Sequence, residues 1–588
     1  MASTSYLGPS EAAASRSLLD LSQGYRDAAQ VQYPSITPGT STRALGGVVL
    51  TDEQVEDLFN IYFSSYHQFL PMLDPNQDYS VYYKMHPLLH WTIIAIAARR
   101  YDPKPGLLLE LQHPLTQMLW TSLSQVPQIY HICKALALLC TWPLPTSSTS
   151  QDPTMMLSGV MFQLAMQYGL HRPSHAQDFM RFRVDLQEVD IADRLNTWAA
   201  VNIVAQNVAT GQGQPPLSRW AWFTYGIHLD RMRPELKTRC QIEKYVDQVT
   251  KALFTMQRDH IVEVDTAQRG LTAEMFGREI AELELTVLST GGSGMSHKAF
   301  SHQRLLTCST AVDLVYLKAA ALHLRLHAFF DKPTHPSYLS DLRSVYITAS
   351  SLLNAVIDLD QAILLHIPRY IEQMVLAAGV TLLKLLNSFY SSHVDMPAGR
   401  ALFGKCVNTL RRLSVISNDL PQRLAEVLAQ LWQRSMFSNP GQDEVRPQPP
   451  DGSLQLQVRC RSSLSVLYDS IWRWREQTGE SGAGSLQQAV EHPTRVNGDA
   501  TNAGNTPNPH NQNPNIQPGL GVPANTTGVG GLGATGGLGN LPGDGLEGLT
   551  WDDSFGGNAV FDPLSWALDG DLRLPFGSGG GGGEGLQF

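Results

Sequence analysis

The sequence predicts an all-α protein in which a large helical domain is followed by a long tail of different composition. Between residues 49 and 476, apolar residues recur at helical spacing in one segment after another, and alternating strand patterns of convincing length are missing. Of the 48 glycines in the chain, 27 lie between Gly479 and Gly585. The helical domain is therefore expected to end before this glycine-rich tail begins.

The helical domain is predicted to begin at Thr51, because Thr51 and Gln54 form the pattern of a capping box. Apolar periodicity predicts the next helices, which are separated by proline-containing breaks. Their approximate ranges are 86–100, 107–121, 127–141 and 153–170. A second helical series is predicted from about 236 to 475, with Ser340 as a helix cap and loops near 287–300 and 437–452.

Composition divides the chain into four regions. Residues 1–48 are rich in small polar residues and predict a disordered lead-in, whereas residues 49–476 form the all-helical domain. Residues 477–540 predict a disordered linker, because nearly all of this stretch lacks aromatic residues and is rich in Asn, Gly, Pro and Thr. Residues 541–588 form an acidic region in which aromatic residues return.

The acidic region 541–588 combines bulky apolar residues with 8 Asp or Glu and one Arg, so −7 of the formal net charge of −10 lies there. This pattern is typical of an acidic activation region, whose carboxylates keep the aromatic side chains solvated until a coactivator groove binds them. The alternative is a terminal peptide that folds back onto the helical domain. The residues expected to carry activation are Trp551, Asp552, Asp553, Phe555, Phe561, Asp562, Leu564, Trp566 and Leu568.

Other functional classes lack their sequence signals. The helical domain has no Lys/Arg block longer than a pair, so it does not show the charge pattern of a nucleic-acid-binding surface. The most apolar run, Met374–Leu383, is about half of the ~20 residues that span a bilayer, and Met1–Ala14 does not resemble a secretory signal. We therefore expect an intracellular protein without membrane contact. Nucleophile-elbow, phosphate-loop and dinucleotide motifs are also missing, so an enzyme is not predicted, although a helical enzyme with an unmarked pocket remains an alternative.

The cysteines and histidines do not show the spacing of a metal site. The chain has six cysteines but no C-x2-C pair, and Cys133 and Cys140 lie in an apolar segment where small buried side chains are expected. The pairs His323–His327 and His86–His90 have i,i+4 spacing but lack the H-E-x-x-H arrangement. We therefore predict neither metal ligands nor catalytic residues in this chain.

Three stretches resemble, in the same order, the middle homology region of fungal zinc-cluster (Zn2Cys6) transcription factors. Residues 51–75 contain a Tyr-Phe pair followed by His and a Pro-x-Leu-Asp run, and Met161–Pro173 contains an A-x3-G-L-H-R signature. An Arg, a Trp and a Gly-x-Pro-Pro sequence follow, and the later helices extend the resemblance to about residue 475. The matching residues, expected to be structural or regulatory, are Gly169, Leu170, His171, Arg172, Arg194, Trp198, Gly213, Pro215 and Pro216.

The resemblance implies a nuclear activator of RNA polymerase II genes. The acidic C terminus is similar to that of the subgroup that controls secreted-protease genes, which is related to regulators of leucine biosynthesis. In this family, a cysteine cluster that holds zinc reads the DNA. Residues 1–588 lack this cluster, so we expect no zinc cofactor in this chain and DNA contact only through an absent cluster or a partner subunit.

The resemblance also implies a coactivator or the transcription machinery as partner of the acidic region, and a small-molecule effector for the helical domain. Many members carry an acidic residue between the Trp and the Gly-x-Pro-Pro sequence, and this chain lacks it, because Ala199–Asn207 is uncharged. Two alternatives to activation of protease genes remain open. One is regulation of amino-acid biosynthesis genes, and the other is an all-helical scaffold protein without a direct role in transcription.

Overall fold

The structure of the protein is a computed structural model that describes residues 43–473, with several gaps. The lead-in up to residue 42, the linker 477–540 and the acidic region 541–588 lie outside the described residues. The described part is almost entirely helical, which confirms the predicted fold class. The gaps within the described part are residues 126–128, 148, 150, 180–185, 226–228, 255, 258–259, 262–265, 291–307 and 439–451.

The first half of the helical domain leads up to one long central helix. Its α-helices are α1 (Asp52–Ile61), α2 (Tyr79–Met85), α3 (Pro87–Ala97), α4 (Leu107–Ser124), α5 (His131–Thr141), α6 (Thr154–Gln167) and α7 (Glu188–Gln212). Shorter helical turns are a π-helix at Tyr62–Tyr66 and 3-10 helices at His67–Phe69, Ala98–Arg100 and Pro173–Phe179.

The second half begins after this central helix. Its α-helices are α8 (Ala221–Tyr225), α9 (Pro234–Leu253), α10 (Thr266–Thr290), α11 (Cys308–Arg325), α12 (Tyr338–Ile357), α13 (Gln361–Leu364), α14 (Arg369–Leu386), α15 (Met396–Leu413) and α16 (Leu420–Ser438). The 3-10 helices are Leu229–Arg231, Leu326–Phe330, Phe389–His393, Gly452–Leu454 and Ser462–Leu464.

Two short hairpins accompany the helices. Strands β1 (Arg43–Leu45) and β2 (Val48–Leu50) pair antiparallel, with Arg43 opposite Leu50, and β3 (Met256–Gln257) pairs with β4 (His260–Ile261). Strand β1 and the first residue of β2 therefore lie within residues 1–48, the predicted disordered lead-in. Strands of two or three residues are too short to produce a detectable alternation in the sequence.

Local sequence signals locate the first helices well. The Thr51 hydroxyl accepts the backbone N–H of Gln54 at 3.3 Å, and the Gln54 side chain accepts the N–H of Thr51 at 3.0 Å, so the capping box is present. The four predicted segments from 86 to 170 correspond to α3–α6. The predicted cap at Ser340 is wrong, because α12 begins at Tyr338 and the Ser340 hydroxyl donates to the carbonyl of Ser337 at 2.7 Å.

Helices α7 and α14 lie at the centre of the domain and are buried around their whole circumference. Every residue of α7 from Arg194 to Gly211 is buried, as is every residue of α14 from Tyr370 to Leu383. Helix α7 packs on α5, α6, α9 and α14, and α14 also packs on α11, α12, α15 and α16. The two halves therefore share one apolar core. Among the described helices, none is long and apolar enough to cross a membrane.

The last described residues, 452–473, form a C-terminal segment that packs back onto the second half. Its anchor is Asp469, which is fully buried and accepts the Lys384 ammonium of α14 at 2.7 Å. The other oxygen of this carboxylate accepts the backbone N–H groups of Gln457 at 2.6 Å and Val458 at 3.2 Å. One buried carboxylate thus joins α14 to both ends of the C-terminal segment.

Replacement of this anchor tests how the C-terminal segment is held. Asp469→Asn leaves the ammonium of Lys384 without its buried counter-charge, and losing one partner of a buried ion pair costs about 3–5 kcal/mol. We expect a lower melting temperature and faster proteolysis within residues 452–473. The matched control is Glu426→Gln, which removes the more exposed Arg411–Glu426 pair and should cost less than about 1 kcal/mol. Equal effects of the two substitutions would contradict this role of Asp469.

Candidate functional site

The Gly169 signature residue ends helix α6. Gly169 has φ 66°, its N–H donates to the carbonyl of Met166, and the N–H of Leu170 donates to the carbonyl of Ala165, both at 3.0 Å. These bonds form a Schellman motif, which satisfies the last carbonyls of a helix. A Cβ at position 169 would lie 2.4 Å from the Phe179 ring, so glycine is required by conformation and by space. Leu170 is fully buried beneath this turn.

Arg194, on the central helix α7, holds the same turn from the other side. Its guanidinium donates to the carbonyl of Tyr168 and lies over the Tyr130 ring at 4.9 Å, and the residue is 1% exposed. The adjacent Asp193 accepts the Tyr130 hydroxyl at 2.7 Å and the buried Lys134 ammonium at 2.6 Å. Burial opposes ionisation of Asp193, but these partners keep the pKa of its carboxyl below the usual value. The start of α7 is thus tied to α5 and to the end of α6.

Trp198 and His171 complete this junction and pack among aromatic side chains. Trp198 is 1% exposed, and its ring lies 5.3 Å from Phe162 and 6.0 Å from His171. His171 also meets the edge of the Phe179 ring at 5.1 Å. Burial and the neighbouring Arg172 lower the pKa of His171, which favours the neutral ring in this apolar contact. We call Gly169, Leu170, His171, Arg194 and Trp198 the signature cluster.

Gly213, the next signature residue, ends α7 by the same geometry. It has φ 62°, its N–H donates to the carbonyl of Thr210 at 3.0 Å, and the N–H of Gln214 donates to the carbonyl of Ala209 at 2.8 Å. A Cβ at position 213 would lie 2.3 Å from the carbonyl oxygen of Arg461 in the C-terminal segment. The Arg461 guanidinium in turn donates to the carbonyl of Gln212 at 3.2 Å.

The signature residues therefore occupy two separate places rather than one pocket. Trp198 and Gly213 are fifteen residues apart on one helix, or about 22 Å at 1.5 Å per residue. Arg172 and Pro215 are exposed and Pro216 is half-buried. The arrangement closes the ends of helices and joins segments, and the nine predicted activation residues from Trp551 to Leu568 lie outside the described residues.

Each histidine of the two i,i+4 pairs has at least one polar partner within the protein. Both ring nitrogens of His323 are used, with the Ser463 hydroxyl at 2.6 Å and the Thr250 hydroxyl at 3.0 Å, and His327 contacts Asp331 at 3.3 Å. His86 caps α3 and accepts the N–H of Leu88 at 3.0 Å. Among the described residues, no group of three or more His, Cys, Asp or Glu is arranged to hold a metal ion.

The described cysteines are buried in all cases but one. Cys133, Cys140, Cys240 and Cys406 are buried, as the apolar surroundings of the first two predict. Burial raises the pKa of the Cys133 thiol to about 12, so this side chain stays an unreactive thiol. Cys460, in the C-terminal segment, is exposed.

Sequence reasoning missed a charged cluster at the centre of the domain. The Arg239 guanidinium of α9 is 2% exposed, donates to Asp313 of α11 at 2.9 Å and lies over the Tyr316 ring at 3.2 Å. Glu243, one turn further along α9, is fully buried. A buried charge costs several kcal/mol unless it is paired, so this cluster requires its partners. The signal that could have revealed it is the occurrence of Arg239 and Glu243 on the same helix face as Leu236 and Cys240.

Burial raises the pKa of the Glu243 carboxyl to about 8, and the charge of Arg239 counteracts this only in part. The side-chain amide of Asn207, on α7, fits either protonation state. One of its terminal atoms lies 2.8 and 2.9 Å from the two carboxyl oxygens of Glu243, so the amide can donate to the carboxylate or accept the proton of the acid. Asn207 thus connects the charged cluster to the central helix.

Two small cavities lie next to each other near the centre of the domain, and Asn207 lines the first of them. The first is lined by residues of α5, α6, α7 and α14, including Asn207, Tyr370 and Gln373, and water centres can occupy about 20 Å³ of it. The neighbouring cleft shares Asp152 and Arg369 with it and offers about 30 Å³. Each has room for about one or two water molecules, which is far too little for a metabolite.

Substitution of the glycine at the end of α6 tests the signature cluster. Gly169→Ala forces a left-handed residue with a Cβ against Phe179, so we expect a loss of about 1–3 kcal/mol in the free energy of unfolding. Gly159→Ala is the matched control in the same helix, because its Cβ would meet nothing within 4 Å, and it should stabilise by up to about 1 kcal/mol. Chemical unfolding of both variants checks the prediction, and effects of the same sign would refute it.

The raised pKa of Glu243 predicts a pH dependence of stability. Between the usual value of 4.5 and about 8, the folded protein keeps a proton that the unfolded chain releases, so stability falls as the pH rises through this window. The variant Glu243→Gln cannot ionise, so its melting temperature relative to wild type should increase from pH 5 to pH 8. Glu56→Gln, at an exposed position of α1, is the control and should show no such trend. A constant difference for Glu243→Gln would show that Glu243 is ionised when folded.

Known proteins match the region that contains the signature cluster. Residues 59–200 match the sequence profile of the fungal specific transcription factor domain. The Regulatory protein LEU3 of Saccharomyces cerevisiae is 20% identical over 475 residues, which is 74% of this chain and 53% of that protein. The Transcriptional regulatory protein SEF1 of Candida albicans is 25% identical over 447 residues, which is 73% of this chain and 45% of that protein.

The chain spans about half the length of these curated relatives. No solved structure matches it. The matched residues 59–200 run from α1 to the middle of α7, and they include Gly169, His171, Arg194 and Trp198. The chain is thus similar to fungal transcription regulators, and its residues 59–200 match the fungal specific transcription factor domain.

Proposed function

We propose that this protein is a nuclear transcription activator of RNA polymerase II genes. The helical domain is its regulatory part, and residues 541–588 are its activation part. The observation that carries the proposal is the domain match over residues 59–200, whose signature residues form the described junction between α6 and α7. The acidic and aromatic composition of residues 541–588 supports activation rather than repression.

The anchored C-terminal segment is the covalent route from the helical domain to the activation region. It contacts the end of α7 through Arg461, α11 through Ser463 and α14 through Asp469. The predicted linker begins at residue 477, four residues after the last described one. A rearrangement of the central helices would therefore move the point at which the linker leaves the helical domain.

The proposed targets are secreted-protease genes, because the acidic C terminus is similar to that of their activators. Amino-acid biosynthesis genes are a second candidate, which the similarity to Regulatory protein LEU3 over 74% of the chain favours. Transcript levels after deletion of the gene distinguish the two. Loss of protease transcripts alone supports the first set, and loss of biosynthetic transcripts alone supports the second.

DNA recognition is proposed to come from a zinc cluster outside residues 1–588 or from a partner subunit. A C-x2-C-x6-C pattern encoded immediately upstream of the Met1 codon would identify the first source.

A small-molecule effector is also proposed for the helical domain. The cavity beside Asn207 is lined by α7 and α14 and has room for about one water, so a ligand bound there would have to separate these two helices.

A reporter assay tests the activation part. Residues 541–588 fused to an unrelated DNA-binding domain should activate a reporter gene, and Trp551→Ala with Trp566→Ala should abolish activation by removing the large apolar anchors. The matched control is Ser554→Ala with Ser565→Ala, which changes neighbouring residues of similar spacing and should retain activation. An inert wild-type fusion, together with a cytoplasmic location of the full chain, would favour the scaffold alternative.

A further inference from the structure

Helix α10 (Thr266–Thr290) carries apolar residues on two opposite faces. The inner face packs on α9 and α11 and contains Ala273, Phe276, Ile280 and Val287, all of which are buried. The outer face contains Leu271, Met275 and Leu285, which are 70%, 56% and 68% exposed. A surface helix needs one apolar stripe to pack on its own domain, so the second stripe requires another partner.

The spacing of the outer face is that of a coiled-coil seam. The exposed positions 271, 275, 278, 282, 285 and 289 alternate steps of four and three residues, as the a and d positions of a heptad do. The two polar positions inside the seam have opposite charge: Arg278, whose side chain is 75% exposed, and Glu282. Arg278 already pairs with Glu274 of its own helix at 2.5 Å, so a partner helix would add a second carboxylate beside Arg278 and a cation beside Glu282, with apolar residues at the ends of the contact.

A second copy of the same helix meets this requirement when it runs antiparallel. In the register that places Met275 against the partner's Leu285, Arg278 faces the partner's Glu282, and Leu271 faces the partner's Ser289. The two-fold symmetry repeats each pair, so two apolar layers flank two ion pairs. A parallel pair would instead place Arg278 against the partner's Arg278 and Glu282 against the partner's Glu282, which is repulsive.

We propose that the outer face of α10 is a homodimer interface in which two copies pair as an antiparallel coiled coil. Residues 541–588 carry a single Arg and a net −7, so they cannot supply the alternating charges of this seam, whereas a second copy places Arg278 opposite Glu282 twice. One helix from each copy makes a small contact. We therefore expect a reversible dimer with a dissociation constant on the order of micromolar.

Charge reversal on the intact chain tests both the partner and its orientation. Sedimentation velocity should show a concentration-dependent dimer of residues 1–588. Arg278→Glu and Glu282→Arg should each weaken it about tenfold, because each replaces two attractive contacts by repulsive ones. The double variant carrying both substitutions should restore the dimer, since the charges are then exchanged across the two-fold axis.

An apolar substitution and its control complete the test. Leu285→Lys should abolish the dimer, whereas Ile347→Lys, at a 55% exposed position of α12, should leave it unchanged. Circular dichroism confirms that each variant is folded, which is expected because all these side chains are exposed. A wild type that is monomeric at every concentration, or a double variant that dimerises no better than the single ones, would overturn the proposal.

Discussion

The need to bury helix α7 on every side determines much of this structure. A helix without a solvent-exposed face has no room for unsatisfied backbone groups, and its last four carbonyls must find partners inside the protein. Gly213 adopts a left-handed conformation, so that its own N–H and that of Gln214 donate to carbonyls of the last turn of α7. The C-terminal segment covers this turn. At its other end, Arg194 and Asp193 bring in α5 and the end of α6. The elements around α7 thus lie where they supply hydrogen-bond partners to its ends and apolar contacts to its side chains.

Buried polar groups add a second constraint on the same helices. Burial of Arg239, Glu243 and Asp313 carries a desolvation cost that apolar side chains would not have. Each of these residues therefore depends on a neighbour from another helix. Glu243 faces Asn207 of α7, and Arg239 faces Asp313 of α11. These contacts are directional, whereas apolar contacts are not, and they restrict how α7, α9 and α11 slide against each other. Such contacts therefore favour a single arrangement of these helices.

Local signals made part of the fold predictable from the sequence. The capping box at Thr51 and helices α3–α6 depend on residues a few positions apart, and the structure confirms them. Helix α7 has no amphipathic pattern, because a helix buried all round has no polar face to alternate with. The partner of Arg239 lies 74 residues away, so no window of the sequence contains both. The signature motif identified Gly169 and Gly213, but their left-handed geometry and the contact with Arg461 depend on the assembled fold.

The C-terminal segment also affects how the chain folds during synthesis. Its partners on α7 and α14 are translated long before it, so the core around Lys384 stays incomplete until Asp469 has been made. Residues 474–588 then keep the chain attached to the ribosome for at least another 115 residues. At roughly 5–20 residues per second, this gives the helical domain about 6–23 s in which to close before release. Synthesis of the long tail thereby delays release of the chain while the C-terminal segment packs against the core.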